Sequence, residues 1–445
     1  IFFAIKGQNS NGEDYIQEAI KKGAIAIVCS KKYKDKDKII PIIKTANVRN
    51  FLSKFAAKFY KYKPKNIIAV TGTNGKTSVA DLFYQILRIN RIPVASIGTL
   101  GIKYSGKTIK SGLTSPDSIL LHRSLEKIKK RKINNVIIEA SSHGLSQRRI
   151  SNLYLKAGIF TNFSQDHLDY HKTMLAYLNA KLMLFKNVLP QKKTIISDSS
   201  LKEFLTLKKI SKKRTLRLID IKKTKSKLEK IKGLKFKDFQ LKNLSMAIEA
   251  AKLCDLKENK IFNSLKKIKD INGRIELAKT FSNNIRVYVD FAHTPDALLK
   301  TIKALKKFYN EDVTLVFGCG GNRDFKKRPL MARIASLNCK KIYVTDDNPR
   351  NEEPEKIRKQ IIKNIKNTNC FNIGNRSKAI KAAILNAEPN EIILVAGKGH
   401  EESQIYKNKI ISISDKQIIN RLNIRKKRIS KKKNNLLENK KILNN

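Results

Sequence analysis

Tryptophan is absent from this 445-residue chain, and acidic residues are scarce. No apolar run approaches the ~20 residues that a membrane-spanning helix needs. That excludes a helical membrane protein, and no signal-peptide pattern is visible. The five cysteines, Cys29, Cys254, Cys319, Cys339 and Cys370, are scattered without a C-x-x-C pair. This excludes a disulfide or zinc framework and fits a reduced, cytoplasmic protein. Acidic scarcity leaves 94 Lys and Arg against 37 Asp and Glu, a net charge of +57. Such a charge raises the question of nucleic acid. The lysines, however, are spread over the whole chain, and no aromatic-interleaved basic motif of the RNA-binding kind occurs. Together with abundant Ile and Asn they read as the coding bias of an AT-rich genome. The expectation is a monomer with no nucleic-acid partner and no membrane insertion, whose basic surface attracts anionic substrates.

The chain opens on Ile1 in what already reads as a strand, as expected of a chain lacking its own start. Residues 1–63 form a small α/β block: a strand at Ile1–Ile5, the loop Gly7–Gly12, a helix at Tyr15–Lys22 and a strand at Ala24–Val28. Lys61–Pro64 reads as a linker. Residues 64–278 alternate apolar runs (Val136–Ile138, Ala157–Phe160, Thr194–Ser197) with amphipathic helices, the pattern of a mostly parallel, doubly wound sheet. Within it, the Lys-rich stretch 199–237 reads as short peripheral strands or loop, followed by helices at Asn243–Cys254 and Lys260–Lys267. Residues 279–424 repeat the alternation with strands Val287–Asp290, Val313–Phe317, Lys341–Thr345 and Ile392–Ala396, a second, Rossmann-like unit. Residues 425–445 are a Lys/Asn-rich tail, expected to be disordered.

The run Thr71-Gly72-Thr73-Asn74-Gly75-Lys76-Thr77-Ser78 follows the apolar strand Ile67–Val70 and precedes a helix with Val79, Leu82, Phe83, Ile86 and Leu87 on one face. Strand, glycine loop and helix form the context of a phosphate-binding loop. Glycines let backbone N–H groups approach a polyphosphate, and the helix N-terminus adds its dipole. Lys76 would offset phosphate charge, and the Thr77 hydroxyl suits Mg²⁺. The loop is shorter than the usual form, with Val70 where the first glycine would fall. A plain Gly/Asn connector is the competing interpretation, which the strand and helix on either side disfavour.

Two further segments end predicted strands, where open α/β sheets bind ligands. Glu139-Ala140-Ser141-Ser142-His143-Gly144 supplies a carboxylate suited to Mg²⁺. The loop from Thr161 to His171 clusters His167, Asp169 and His171. Lys181 follows on the next helix, where a lysine is ordinarily solvated.

Taken together, Thr71–Ser78, Glu139–Gly144, Asn162–His167, Asn272–Glu276, Val289–Asp296, Gly318–Asp324 and Val395–Glu401 resemble the Mur ligases, and best the MurE branch of that family. The resemblance spans residues 1 to about 424. It implies three domains: a UDP-binding N-terminal unit, a central ATPase and a Rossmann-like unit for the incoming amino acid. The implied activity is ATP-dependent ligation of meso-diaminopimelate to UDP-N-acetylmuramoyl-L-alanyl-D-glutamate through an acyl phosphate, in peptidoglycan precursor synthesis, with Mg²⁺ as cofactor. Lysine-adding or folylpolyglutamate-type ligases are the alternatives. Carried over by position, Gly72, Thr73, Asn74, Gly75, Lys76, Thr77, Ser78, Asn243, Arg274, Asp290 and His293 would bind ATP. Thr77, Glu139 and His167 would hold the metal, and Lys76, His167 and Lys181 would act in catalysis. Lys181 matches the lysine carbamylated in the family. Thr114, Ser115, Ser142, Gln147 and Arg149 match the muramoyl-dipeptide positions. Asp347-Asn348-Pro349-Arg350 matches the diaminopimelate signature, completed by Arg323, Gly397 and Glu401. Diaminopimelate carries a distal carboxylate that lysine lacks, and an arginine can hold it bidentately. Departures are Ser115 for Thr, Phe291 for Tyr and Gln240 for Asn.

Overall fold

Ile67, Ile68, Ala69 and Val70 are all fully buried, yet they belong alternately to two different apolar cores. Successive strand side chains point to opposite faces, so a continuous apolar run marks a strand covered on both sides. The computed structural model describes residues 1–7, 10–34, 40–234, 236, 238–366 and 369–423. The expected disordered tail, and Gln8 and Asn9 of the first loop, lie outside them.

The described chain forms two compact units. The first holds Ile1–Arg274 with Thr294–Lys300 and Asn322–Met331. It opens with a three-stranded parallel sheet, β1 (Phe2–Phe3), β2 (Ile27–Ser30) and β3 (Ile42–Thr45). An eight-stranded sheet follows, built from β4 (Asn66–Thr71), β5 (Val94–Gly98), β6 (Gly101–Tyr104), β7 (Lys107–Ile109), β8 (Asn135–Glu139), β9 (Ala157–Phe160), β10 (Thr194–Ser197) and β11 (Arg217–Asp220). Its order is β11-β10-β9-β4-β8-β5-β6-β7. Strand β4 pairs in parallel with β8 on one side and β9 on the other. The carboxyl ends of these three strands therefore lie side by side, the place where such sheets bind ligands. Toward one edge, β6 and β7 run antiparallel, in keeping with a mostly parallel sheet.

The second unit holds Ile275–His293, Thr301–Gly321 and the chain from Ala332 onward. Its six-stranded sheet comprises β12 (Glu276–Thr280), β13 (Arg286–Asp290), β14 (Val313–Phe317), β15 (Lys341–Val344), β16 (Cys370–Asn372) and β17 (Ile392–Ala396), in the order β12-β13-β17-β14-β15-β16. A hairpin of β18 (Ser403–Tyr406) and β19 (Lys409–Ser412) follows. The α/β class and doubly wound sheets are as expected. The stretch 199–237 is not: it carries the helices Phe204–Lys213 and Lys222–Glu229 around β11. Few apolar side chains of each helix are buried, Leu207 and Ile210 in one and Leu228 in the other. Among so many lysines that sparse stripe gives little periodic signal.

Candidate active site

The loop after β4 is shaped by two glycines. Gly72 has φ +145°, and a Cβ there would lie 1.9 Å from Thr161 Oγ1. Gly75, at φ +87°, precedes the helix Lys76–Ile89, and its Cβ would lie 2.6 Å from Asn243 Oδ1. Both positions need glycine on conformational and steric grounds. The loop is clamped from β9: Asn162 Oδ1 accepts from Asn74 N–H at 2.9 Å, and Thr161 Oγ1 donates to Asn74 C=O at 2.6 Å. Ser164 N–H donates to Thr73 Oγ1 at 3.1 Å.

Two lysines converge on one carbonyl. Lys76 Nζ donates to Gly72 O at 3.0 Å and Thr73 O at 2.8 Å, and Lys181 Nζ donates to Gly72 O at 2.6 Å. Lys181 is buried and its ammonium stands 4.3 Å from the Tyr177 ring centroid. Burial and the neighbouring Lys76 charge push the Lys181 amine well below the ordinary lysine range. Burial lowers Lys76 too, against the pull of Glu139 and Asp166.

Glu139, at the end of β8, is buried beside this loop. Its Oε2 accepts from Thr77 Oγ1 at 2.9 Å and Thr99 Oγ1 at 3.1 Å, and its Oε1 accepts from Thr99 N–H at 2.8 Å. Arg274 Nη2 donates to Thr77 Oγ1 at 3.2 Å. Hydroxyl and carboxylate oxygens so placed suit a hard divalent cation. Among the described residues no set of three or more His, Cys, Asp or Glu converges, so Glu139 and His167 do not form part of a preformed cage. Such an arrangement fits a metal completed by substrate phosphates rather than one held by protein alone.

The remaining candidates of the first unit form two groups. Ser115 Oγ donates to the Glu139 carbonyl at 2.8 Å, Thr114 Oγ1 lies 3.2 Å from Thr99 Oγ1, and Arg149 spans Ser115 O at 3.0 Å and Gln147 Oε1 at 2.6 Å. Ser142 is buried at the start of the helix Ser142–Ser146. His167, at φ 56°, pairs with Asp166 at 3.3 Å and packs edge-on to His143 at 4.8 Å. His143 in turn packs against Tyr170 and His171. Burial, then the Arg323 and Arg149 charges, pushes His143 down to about 4. Arg323 lies with this unit, 3.9 Å from Asp169.

In the second unit the candidates gather at the carboxyl ends of β13, β15 and β17. Asp290 accepts from Ile275 N–H at 2.6 Å and Ala292 N–H at 2.7 Å, and His293 Nδ1 lies 2.9 Å from Phe291 O. Arg350 Nη1 donates to Gly321 O at 2.8 Å and Asn348 O at 3.2 Å. Asn348 Nδ2 donates to Glu401 Oε2 at 3.0 Å, and Asp347 Oδ1 accepts from Asn348 N–H at 2.7 Å. Pro349 follows in the same loop, its carbonyl 1.9 Å from where a Cβ on Gly321 would sit. Gly397, at φ +111°, leaves room for Asp347 Oδ2, which a Cβ would meet at 2.7 Å. Sequence reasoning passed over Lys398 and Arg376. Lys398 donates to Asn348 Oδ1 and Glu401 Oε2. Arg376 is buried, bonded to both Asp415 oxygens and to Ala396 O. In so basic a chain, a lysine or arginine carries no signal of burial.

Comparison with known proteins matches three family models: "Mur ligase family, catalytic domain" over residues 1–60, "Mur ligase middle domain" over 70–266 and "Mur ligase, glutamate ligase domain" over 273–399. A relative from Rickettsia bellii, named UDP-N-acetylmuramoyl-L-alanyl-D-glutamate--2,6-diaminopimelate ligase, is 37% identical across 94% of this chain and 91% of its own. A Brucella melitensis protein of the same name is 35% identical across 93% of this chain and 89% of its own. A solved structure of a ligase of that name aligns with TM-score 0.60 and 26% identity, covering 92% of this chain and 88% of that one. The bifunctional folylpolyglutamate synthase/dihydrofolate synthase of Yersinia pestis, solved with AMPPNP and Mn ion, shares the fold at TM-score 0.64 and 16% identity, over 79% of this chain and 91% of its own. The chain belongs to the Mur ligase family.

Proposed function

We propose that this chain is an ATP-dependent amide ligase of peptidoglycan precursor synthesis, joining meso-2,6-diaminopimelate to UDP-N-acetylmuramoyl-L-alanyl-D-glutamate. The observation that carries the choice of amino acid is the loop Asp347–Arg350, with Asn348 hydrogen-bonded to Glu401 beside Arg350. A guanidinium for a carboxylate and a carboxylate for an ammonium match the distal head of diaminopimelate. The relatives' names support the same reading. The likeness of the whole chain supports three working parts: residues 1–63 for the uridine end, 64–278 for ATP and 279–424 for the amino acid.

A carboxylate is a poor acyl donor, and phosphorylation gives it a leaving group. The γ-phosphoryl of ATP passes to the glutamate γ-carboxylate, giving ADP and an acyl phosphate. The amine of diaminopimelate attacks the carbonyl carbon, the tetrahedral intermediate expels phosphate, and the ammonium proton is lost to solvent. Gly72, Thr73, Asn74, Gly75 and Ser78 form the phosphate loop. Asn162 takes the Thr73 and Asn74 N–H groups and so fixes its shape. Gly72, Gly75 and Ser78 present their backbone N–H groups to the phosphates, and Lys76 offsets the charge. Asn243, Arg274, Asp290 and His293 serve the nucleotide. Thr77, Glu139 and His167 would hold a divalent ion, here Mg²⁺, which would offset charge on the transferring phosphoryl group. Thr114, Ser115, Ser142, Gln147 and Arg149 orient the muramoyl dipeptide, Gly397 belongs to the amino-acid pocket with Asp347, and the family resemblance alone adds Arg323. Lys181 is the proposed site of a carbamate. A neutral amine adds to CO₂ and releases a proton, and the depressed Lys181 amine is poised for that addition.

The testing experiment measures phosphate release with ATP, Mg²⁺ and the UDP-dipeptide, comparing meso-diaminopimelate with L-lysine. Turnover with diaminopimelate alone is expected. Turnover with lysine would keep the ligase and discard the pocket argument, and turnover with neither would overturn the reading.

A further inference from the structure

Lys398 has 0% exposed surface, and a buried ammonium persists only where it is paired. Its Nζ donates to Asn348 Oδ1 at 3.1 Å and to Glu401 Oε2 at 2.9 Å. Asn348 Oδ1 also accepts from Ile405 N–H at 3.0 Å. An ammonium and a backbone N–H can only donate, so the Asn348 oxygen must face them and its NH₂ must face Glu401. A flipped amide would set two donors against a third. Glu401 Oε2 thus receives two donors, and no protein donor among the described residues takes its Oε1. Its side chain is 34% exposed, so that oxygen belongs to a group that solvent or ligand can reach.

We infer that Lys398 is the positioning and specificity-setting residue of the amino-acid pocket, resting on the function proposed above for the identity of the amino acid. Two consequences follow from its charge and its donors. Fixing Asn348 leaves one amide N–H and one Glu401 oxygen as an adjacent donor and acceptor, matching the carboxylate and ammonium of an amino-acid head. The Lys398 charge also offsets Glu401, so a lone distal ammonium such as that of lysine gains little there. A zwitterionic head needs no net charge in the pocket and is favoured.

The test is steady-state kinetics of Lys398→Met. The expected result is a KM for diaminopimelate raised about 10–100-fold, the range for losing a group that positions a ligand contact. KM values for ATP and the UDP-dipeptide should stay unchanged, and use of L-lysine relative to diaminopimelate should rise. Lys398→Gln keeps a donor without the charge. It should retain more diaminopimelate affinity than Lys398→Met while still relaxing discrimination against lysine. Combined with Glu401→Gln, the Lys398→Met loss should be smaller than in the wild-type background, because one residue acts through the other. A KM rise shared by all three substrates, or independent losses in the double variant, would overturn the inference. Should the wild type not use diaminopimelate, the functional reading alone fails. A crystal structure of Lys398→Met then decides the inference: displaced Asn348 and Glu401 side chains support it, and unmoved ones overturn it.

Discussion

Arg350 adopts a left-handed backbone, φ 54°, and its side chain donates to the Asn348 carbonyl of its own loop and to the Gly321 carbonyl of the loop after β14. The guanidinium is thereby held in one place before any ligand arrives, which lowers the ordering cost of binding. Arg350→Ala should raise the KM for diaminopimelate about 30-fold or more, given the roughly 2–5 kcal/mol typical of truncating one partner of a hydrogen-bonded charge pair. ATP affinity, read by isothermal titration, should stay unchanged, and equal losses in both would remove the assigned role. Lys181 gives a second residue-scale prediction. Lys181→Ala should lose most phosphate release and recover part of it on adding short carboxylic acids, which supply the anion that the carbamate would carry. Activity indifferent to the substitution would dismiss the carbamate.

At the scale of elements, the strand–loop–helix unit around Gly72 depends on two close approaches. Gly72 holds a positive φ, with Thr161 Oγ1 in the space of any Cβ. Gly72→Ala should therefore destabilise the central unit by about 1–3 kcal/mol, as forcing a side chain onto a glycine conformation does, measured by urea unfolding. It should also weaken ATP binding. Thr161→Ala alone should cost less, because it leaves the loop conformation intact while removing one clamp to Asn74. The element most legible beforehand is this one, since a continuous apolar run, glycine and helix are all local signals. The helices Phe204–Lys213 and Lys222–Glu229 were not, because each buries only one or two apolar side chains among many lysines.

At the scale of the whole molecule, buried histidines set the response to acid. His122 is fully buried, and burial, then the Lys63 charge, pushes it down to about 4 from an ordinary 6.5. His143 and His171 are pushed to about 4 by burial as well. A lowered histidine binds its proton more readily in the unfolded chain. Stability is therefore complete above about pH 6.5 and is lost as the pH falls toward 4, by roughly 3 kcal/mol at most for His122. Chemical denaturation at pH 7 and pH 4.5 should show this loss, and His122→Leu should flatten it. An unchanged pH slope in that variant would place the acid sensitivity elsewhere. The net charge of +57 acts in the same assay: added monovalent salt should raise the melting temperature by screening repulsion among lysines.

The sequence by itself determined what depends on neighbours in the chain. The burial of β4, the glycines of the phosphate loop and the carboxylate ending β8 are all set by local pattern and by which backbone conformations a residue tolerates, while the Asp347–Arg350 loop was legible only through the family resemblance. Tertiary structure decided what depends on partners far along the chain. Lys181 looks like any other helical lysine in composition and spacing until the fold brings it to the carbonyl of Gly72, where Lys76 also donates. Asn243 lies against Gly75 from a helix about 170 residues later. Lys398 acquires a role because β17 ends beside Asn348 and the β18–β19 hairpin supplies the Ile405 N–H. The physical reason is common to all three. Burial and hydrogen bonding change what a charged side chain does, and neither is written in the few residues around it.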